Sequence, residues 1–542
     1  DGRLDSFDFF GEKNDGRLDT EMYVAPEAQP HDYYSLFSDT SAYFLTWHLS
    51  NIAGKRMAFS SLKDASGLTP VDYHSESLLQ LQTSSYSSGV RYGSSYDIQS
   101  AVYDYGEGWT GPNISKNGNR TYDFTLANFD SGGPKPTLEV VLNGISNFSH
   151  VTEISAGPNA SSLRSIGQAS FNGRFNYTFS GQLEWSDVGA DGTLVVQVTS
   201  VGVAGQTDVV SVAYVSVGFA QNLNLTSSSK TYQIPDSSNP RQYAVVSTNN
   251  ASSLSVYDVT NPNKLARVAS TAYSNRLEFV YQDTTTLARS FLVLSSGDVK
   301  AVPKIERASI GSVSTSSDYL IISHKAMNQQ ASGVNPVDAY ATYRRSVAGG
   351  GYDVGLVYMD QLYDQFSYGI TSPLAVKQYL AYMMNQGDPK FVFLIGKGTS
   401  VNLDYHRQSS TSLLHFVPTF GYPGSDALFS VNGSVDTKPQ IPIGRVNAFS
   451  SADVKVYLNK VKEMESQAYD QLWRKNLLHL SGGQTPSELS SFANYINNFR
   501  SQAVGDYLGG QVSSLNKNST DDVKIINVAD EVNSGLSMIT FF

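Results

Sequence analysis

Few residues in this chain combine a reactive type with a spacing that does chemistry. Lys397 is the first to consider. It stands between Gly396 and Gly398, directly after the apolar run Phe391–Ile395. A lysine among glycines at the end of a strand could cradle a phosphate. That chemistry needs a hydroxyl residue after the lysine or a longer glycine spacing, and neither GKS, GKT nor GxGxxG stands at this turn. The GKG run therefore reads as a strand-to-loop turn. His31 and His48 have no carboxylate–His spacing around them, so they read as ordinary hydrogen-bonding residues rather than metal ligands. Trp109 and Trp185 could stack on sugars, as in binding modules. Filling a sandwich or the base of a loop is the preferred reading for both. Cysteine is absent. Within these residues that removes disulfides, thiolate zinc sites and a thiol nucleophile.

The elements that carry these residues change character along the chain. Residues 1–75 read as an amino-terminal β module. DGRLDS at Asp1–Ser6 recurs as DGRLDT at Asp15–Thr20, which suggests two short hairpins, since a solenoid needs about three repeats or more. Tyr43, Leu45 and Trp47 alternate with Phe44, Thr46 and His48, the pattern of a strand with one apolar face. Residues 76–220 read as a β-sandwich, jelly-roll-like. Its short alternating runs, such as Thr121–Leu126, Thr137–Leu142, Phe175–Phe179, Thr193–Val198 and Val209–Val217, are separated by Gly, Asn, Asp and Ser. Residues 221–316 read as a second β domain, with strands at Tyr243–Val246 and Leu254–Asp258.

From about Asp318 the pattern becomes α/β, with residues 317–468 as a first subdomain and 469–542 as the start of a second. Tyr319–Ser323, Val354–Tyr358 and Phe391–Ile395 are short apolar runs of the kind found in a parallel sheet buried on both faces. Val337–Ala348 reads as a helix. Ser372 and Pro373 open another, with Val376, Tyr379, Leu380, Met383 and Met384 inward and Gly387 at its end. Ser450 and Asp453 begin a helix that buries Val454, Tyr457, Leu458 and Val461. Leu477–Leu480 starts the second unit, and Thr485, Pro486 and Glu488 cap the helix that follows. Val523–Val528 and Leu536–Phe542 read as further strands, the last interior and covered on both faces. Ligands of such sheets sit at the carboxyl ends of the strands.

Composition narrows the class of partner. The chain has 542 residues, a net charge of −11, 40% hydrophobic and 16% charged residues, and 33 Tyr. At roughly 150 residues per domain this suggests three or four domains. The acidic balance argues against nucleic acid, because no basic patch exists to neutralise phosphates. No apolar run is long enough to span a membrane as a helix. The Tyr-, Ser- and Asn-rich surface is common in exported proteins. Asn-X-Ser/Thr triplets at Asn113, Asn147, Asn159, Asn176, Asn224 and Asn250 are glycan acceptors only in a eukaryotic secretory setting. The bare start at Asp1 and the apolar strand at Leu536–Phe542 are what a fragment of a longer polypeptide would show.

The set FLIGKGTS, VPTFGYPGSDALF, IPIGRV, LSGG and NSGLSMITFF resembles the gingipain family of cysteine peptidases, which have caspase-like folds. FFGEKNDGRLDTEMY and QPHDYYSLFSDTSAYFLTW resemble more specifically the sortase branch of that family, which serves the type IX secretion system. The resemblance implies β domains followed by a caspase-like α/β peptidase domain. It implies a surface enzyme at the outer membrane that removes carboxyl-terminal sorting domains from exported cargo and attaches the cargo to lipopolysaccharide. A thiolate would attack the peptide carbonyl, a histidine would move the proton, and backbone amides would hold the oxyanion.

In the family a strand like Leu536–Phe542 leads at once to Gly-His-Gly, and the nucleophilic Cys follows the next strand. The resemblance therefore places no catalytic residue within 1–542 and puts both after Phe542. It calls for no catalytic cofactor and leaves room for a structural calcium ion. The implied partners are cargo proteins and an outer-membrane β-barrel of the secretion system. Two positions depart from the pattern. Ser481 stands where arginine-specific members carry an acidic residue before Gly-Gly, and Lys397 stands where the family has Asp. His479 lies within its strand with no nucleophile beside it and reads as structural. A secreted gingipain-like protease that is itself cargo, and a catalytically dead surface scaffold that binds through the sandwich, are the alternatives.

Overall fold

The computed structural model describes residues 7–46, 56–93, 98–237, 239–282, 287–311, 314–330, 333–399, 407, 415–431, 438–522 and 526–542. They form two compact units. One comprises residues 1–341 and 352–454, the other 342–351 and 455–542.

Strands dominate the first unit up to Ser295. Thr193–Ser200 shows the governing pattern, with every second residue buried. It lies in a four-stranded antiparallel sheet between Ser149–Gly157 and Asn119–Thr125, with Arg164–Asn172 at the far edge. Leu194, Val196 and Val198 meet Leu138, Val140, Val215 and Val217, which belong to Thr137–Gly144 and Val209–Gln221 of a larger sheet. Two inner faces sharing one apolar layer make a β-sandwich. The larger sheet continues past residue 220. His74–Leu81 pairs with Val209–Gln221 on one side and meets Ser229–Ile234 on the other. A second apolar cluster around Tyr232, Val246, Val256, Phe279 and Phe291 fills that end.

The amino-terminal stretch differs from its sequence pattern. Asp15–Thr20 is not a hairpin, because its side chains bind backbone instead. The Asp15 carboxylate accepts the Arg17 N–H, and the buried Asp19 carboxylate accepts the Leu36 N–H at 2.6 Å. A 3-10 turn follows at Asp19–Met22. The other copy, Asp1–Ser6, lies outside the described residues. Tyr43–Thr46 is not a strand and is exposed, and Trp47 and His48 fall outside the described residues. Met22, Tyr23, Leu36 and Phe37 are instead buried in one cluster with Leu374, Val376 and Phe420 of the α/β part.

That α/β part holds a parallel sheet in the order Val354–Tyr358, Tyr319–Ser323, Phe391–Ile395, Ile443–Val446. Leu320, Ile321 and Ile322 are wholly buried, and each contributes about 1.5–3 kcal/mol by leaving water. The helix Leu374–Gln386 buries Val376, Tyr379, Leu380 and Met383. The Ser372 hydroxyl accepts the Leu374 N–H at its start, and the Gly387 N–H closes on Met383 O at its end.

The second unit has a smaller parallel sheet, ordered Gln511–Asn516, Asn476–Ser481, Met538–Phe541. The helix Pro486–Ala503 begins with the expected reciprocal cap between Thr485 and Glu488. Two strand assignments change. The neighbour of Asn476–Ser481 is Gln511–Asn516, a polar edge strand whose composition hides it. Of the expected Val523–Val528, residues 526–528 are not strand and 523–525 lie outside the described residues. Met538–Phe541 is at an edge rather than in the interior, with Met538, Ile539 and Phe541 exposed by 55%, 46% and 75%. Pro486–Ala503 covers only one face, where Phe542 stacks on Phe499 with ring centroids 5.8 Å apart.

Candidate functional site

The carboxyl edge of the first parallel sheet is where three strands release loops, and one arginine organises it. Arg445, on the strand Ile443–Val446, uses all five of its N–H donors. Nε and Nη2 form a fork with the Asp426 carboxylate, both at 2.7 Å. Nη1 donates to Gly396 O at 2.7 Å and Val417 O at 2.8 Å, and Nη2 to Pro418 O at 2.7 Å. The turn after Phe391–Ile395 is thereby tied to the loop at 416–418. Gly396 has φ +137°, and a Cβ there would press on Phe416 and Val417. The Lys397 N–H donates to Ala448 O, and Lys397 O accepts from Phe416 and Val417. The Lys397 ammonium lies over the Phe449 ring, 4.3 Å from its centroid. The GKG run is thus a pinned turn, as its sequence suggests.

Two histidines border this edge. His324 directly follows the strand Tyr319–Ser323, and its Nδ1 accepts the Ala326 N–H at 3.1 Å. Burial lowers its pKa; Asp360 opposes that and Lys325 adds to it. His415 Nδ1 lies 3.1 Å from Thr399 Oγ1. The sequence singled out neither histidine, nor Arg445. A charged residue inside the apolar IGRV run was the available signal for the arginine.

The carboxyl edge of the second sheet gathers Ser481, Gly482, Gly483, Asn516, Lys517 and Phe542. Ser481 Oγ donates to Asn516 Oδ1 at 2.9 Å. The Gly482 N–H donates to Phe542 O at 2.8 Å, and the Phe542 N–H to Leu480 O at 3.1 Å. Lys517 Nζ donates to Gly483 O at 2.9 Å. Gly483 has φ +132°, and a Cβ there would lie 2.8 Å from Leu489 N. The Gly-Gly pair therefore lets the helix Pro486–Ala503 start hard against the strand end, while Phe542 extends the ladder beside it. Ser481 is an uncharged hydrogen-bonding residue here.

The remaining residues singled out from sequence are structural in their surroundings. His479 is 1% exposed. Burial is the main cause that lowers its pKa, a hydrogen bond with the Ile496 backbone opposes it, and Arg500 adds to it. His31 is half-buried with its ring edge-on to Tyr214, and desolvation takes its pKa down to about 4. Trp109 is buried between the edges of Tyr34 and Tyr86, and Trp185 stacks on Phe129. The Trp109 ring, 4% exposed, offers no free face of the kind a sugar platform needs. Among the described residues no group of three or more His, Asp or Glu could hold a metal ion. Among them, too, no helix is long and apolar enough to cross a membrane.

Comparison with known proteins adds to this geometry. Residues 312–542 match the family model of peptidase family C25. Among solved structures, dimeric latent PorU from Porphyromonas gingivalis aligns with a TM-score of 0.51 and 18% identity, covering 75% of this chain and 39% of PorU. This chain thus spans well under half the length of that protein. The CBM36-1 domain of a multidomain xylanase from the hindgut metagenome of Trinervitermes trinervoides aligns at 12% identity and a TM-score of 0.17, covering 26% of this chain and 96% of the domain. No curated protein matches significantly. Residues 312–542 are thus similar to the peptidases of family C25, and the chain resembles PorU in fold.

Proposed function

We propose that residues 1–542 are the β-rich amino-terminal part and the first portion of the peptidase domain of a type IX secretion sortase. In this reading the whole enzyme acts at the outer surface of the cell. It cleaves carboxyl-terminal sorting domains from cargo, and the cargo acyl group held as a thioester passes to an amine on lipopolysaccharide, forming an amide and releasing the enzyme thiol. The observation that carries the reading is the C25 match over residues 312–542 within a chain of PorU-like fold. The catalytic histidine and cysteine then lie beyond Phe542. The histidine would emerge from the second sheet beside Gly482 and Gly483, whose backbone already bonds Phe542.

The test is to express the reading frame past Phe542 and assay it on a cargo protein that carries its sorting domain. Cleavage that is lost when the downstream Cys is changed to Ala, and absent from purified 1–542, supports the proposal. Cleavage by 1–542 alone would refute it, as would a frame lacking Cys and His. A sorting domain at this protein's own terminus would make it secreted cargo instead.

A further inference from the structure

Within the first unit, the segment Thr20–Pro26, Lys377 of the helix Leu374–Gln386, and Phe420, Leu428 and Val431 line a partly open cavity of about 340 Å³. Its walls include Met22, Val102, Phe420, Leu428 and Val431, all buried. That size and lining suit a small ligand with an apolar body. Among the described residues that line it, the one cation is Lys377. Lys377, on the first turns of the helix, is half-buried, and its Nζ lies 4.6 Å from the Phe420 ring centroid.

Among the described residues the Lys377 ammonium has a ring face but no carboxylate. Burial is the one cause acting on its pKa, which it lowers, and no acidic neighbour raises it again. The other polar groups of the lining are engaged elsewhere. Glu21 is exposed at the rim and accepts from Gln378 Nε2 at 2.9 Å, and the Thr20 hydroxyl donates to Gln29. The Tyr23 hydroxyl donates to Glu107 O.

We propose that this cavity binds a small monocarboxylate, with the carboxylate on Lys377 Nζ and the hydrocarbon part against Phe420, Leu428 and Val431. An ammonium partly removed from water without a counter-ion carries a desolvation cost. A carboxylate bound there offsets that cost with a charge-assisted hydrogen bond. One compact point charge suits one carboxylate, whereas phosphates are more often met by several donors or an arginine fork. The inference is independent of the peptidase reading.

Calorimetric titration of the 1–542 chain with phenylacetate and hexanoate, against phenylethanol and hexanol, tests it. The acids are expected to bind at least about tenfold more tightly than the matched alcohols. Lys377→Met keeps the stem and removes the charge, and it should abolish that preference. Val431→Trp should fill the cavity and remove binding altogether, with both variants melting like the parent. A readout on the parent protein guards against misfolded variants. Phenylacetate should slow modification of Lys377 by an amine-directed reagent, read by mass spectrometry. Alcohols that bind as well as the acids would overturn the proposal. So would a Lys377→Met protein that keeps the preference, absence of binding by both acids at millimolar concentration, or unchanged Lys377 labelling.

Discussion

Replacing Arg445 with Met should destabilise the first unit by about 3–5 kcal/mol, the usual cost of removing one partner from a largely buried ion pair. The side chains of Arg445 and Asp426 are only 12% and 24% exposed. The methionine fills most of the volume but leaves the Asp426 carboxylate and the carbonyls of Gly396, Val417 and Pro418 without their donor. A hydrogen bond to a charged group is worth about 1.5–3 kcal/mol net. The five bonds share one side chain, so their costs do not add. Arg445→Lys keeps the charge but loses the fork and should cost about half as much. Urea unfolding gives the magnitude, and hydrogen exchange at Phe416, Val417 and Ser425 shows whether the loop opens first. The double variant Arg445→Met, Asp426→Leu removes the stranded carboxylate and should be less destabilised than Arg445→Met alone. If Arg445→Met unfolds within about 1 kcal/mol of the parent, or the double variant is the less stable, the arginine is not the organiser of this edge.

Asp19 should make stability depend on pH, because burial raises its carboxyl from 3.8 to about 7, with the Leu36 N–H and the Ser35 hydroxyl opposing. Below about pH 4 it is protonated in both folded and unfolded chains. As pH rises toward 7 only the unfolded chain ionises, so up to about 4 kcal/mol of stability is lost by the time pH passes the folded value. Asp19→Asn should remove that part of the slope in unfolding curves taken at several pH values, and an unchanged slope would refute the assignment. In the sandwich, His150 Nδ1 meets Asp208, and its Nε2 lies 2.9 Å from Gly173 O. Asp208→Leu leaves the ring and the Ser200 hydroxyl without their shared acceptor and should cost about 3–5 kcal/mol in thermal or urea unfolding; a loss under about 1 kcal/mol would mean that solvent replaces the pair. Ile539→Asp, on the uncovered edge strand, should shift the melting of 1–542 very little, by about 0.5 kcal/mol or less. A large drop would show that the strand is covered in solution.

Legibility followed the strength of the periodic signal. Thr193–Ser200 alternates because one face meets the opposite sheet, so sequence and structure agree residue by residue. Leu320–Ile322 and Val392–Ile395 are continuous apolar runs because both faces are covered, and both lie in the parallel sheet as expected. Gln511–Asn516 was missed because an edge strand with polar side chains carries no such record; its evidence is the ladder to Asn476–Ser481. The amino-terminal stretch misled in another way. Its aromatic content is real core, but Tyr23 fills it from an isolated bridge to Tyr103 and Phe37 from a bend, and neither imposes a period.

An apolar pattern states that a face needs cover and leaves open what supplies it. Leu536–Phe542 has the composition of an interior strand, yet Ile539 and Phe541 are exposed at the edge of that three-stranded sheet. The candidate edges were legible to a similar degree. The glycines at Gly396, Gly398, Gly482 and Gly483 mark where strands end. The partners that give each turn its geometry are distant: Arg445 lies 27–49 residues along the chain from Gly396, Val417 and Pro418, and Lys517 and Asn516 lie 34 and 35 residues from Gly483 and Ser481. No local spacing joins groups so far apart; the parallel crossovers do, by returning each strand to the same edge.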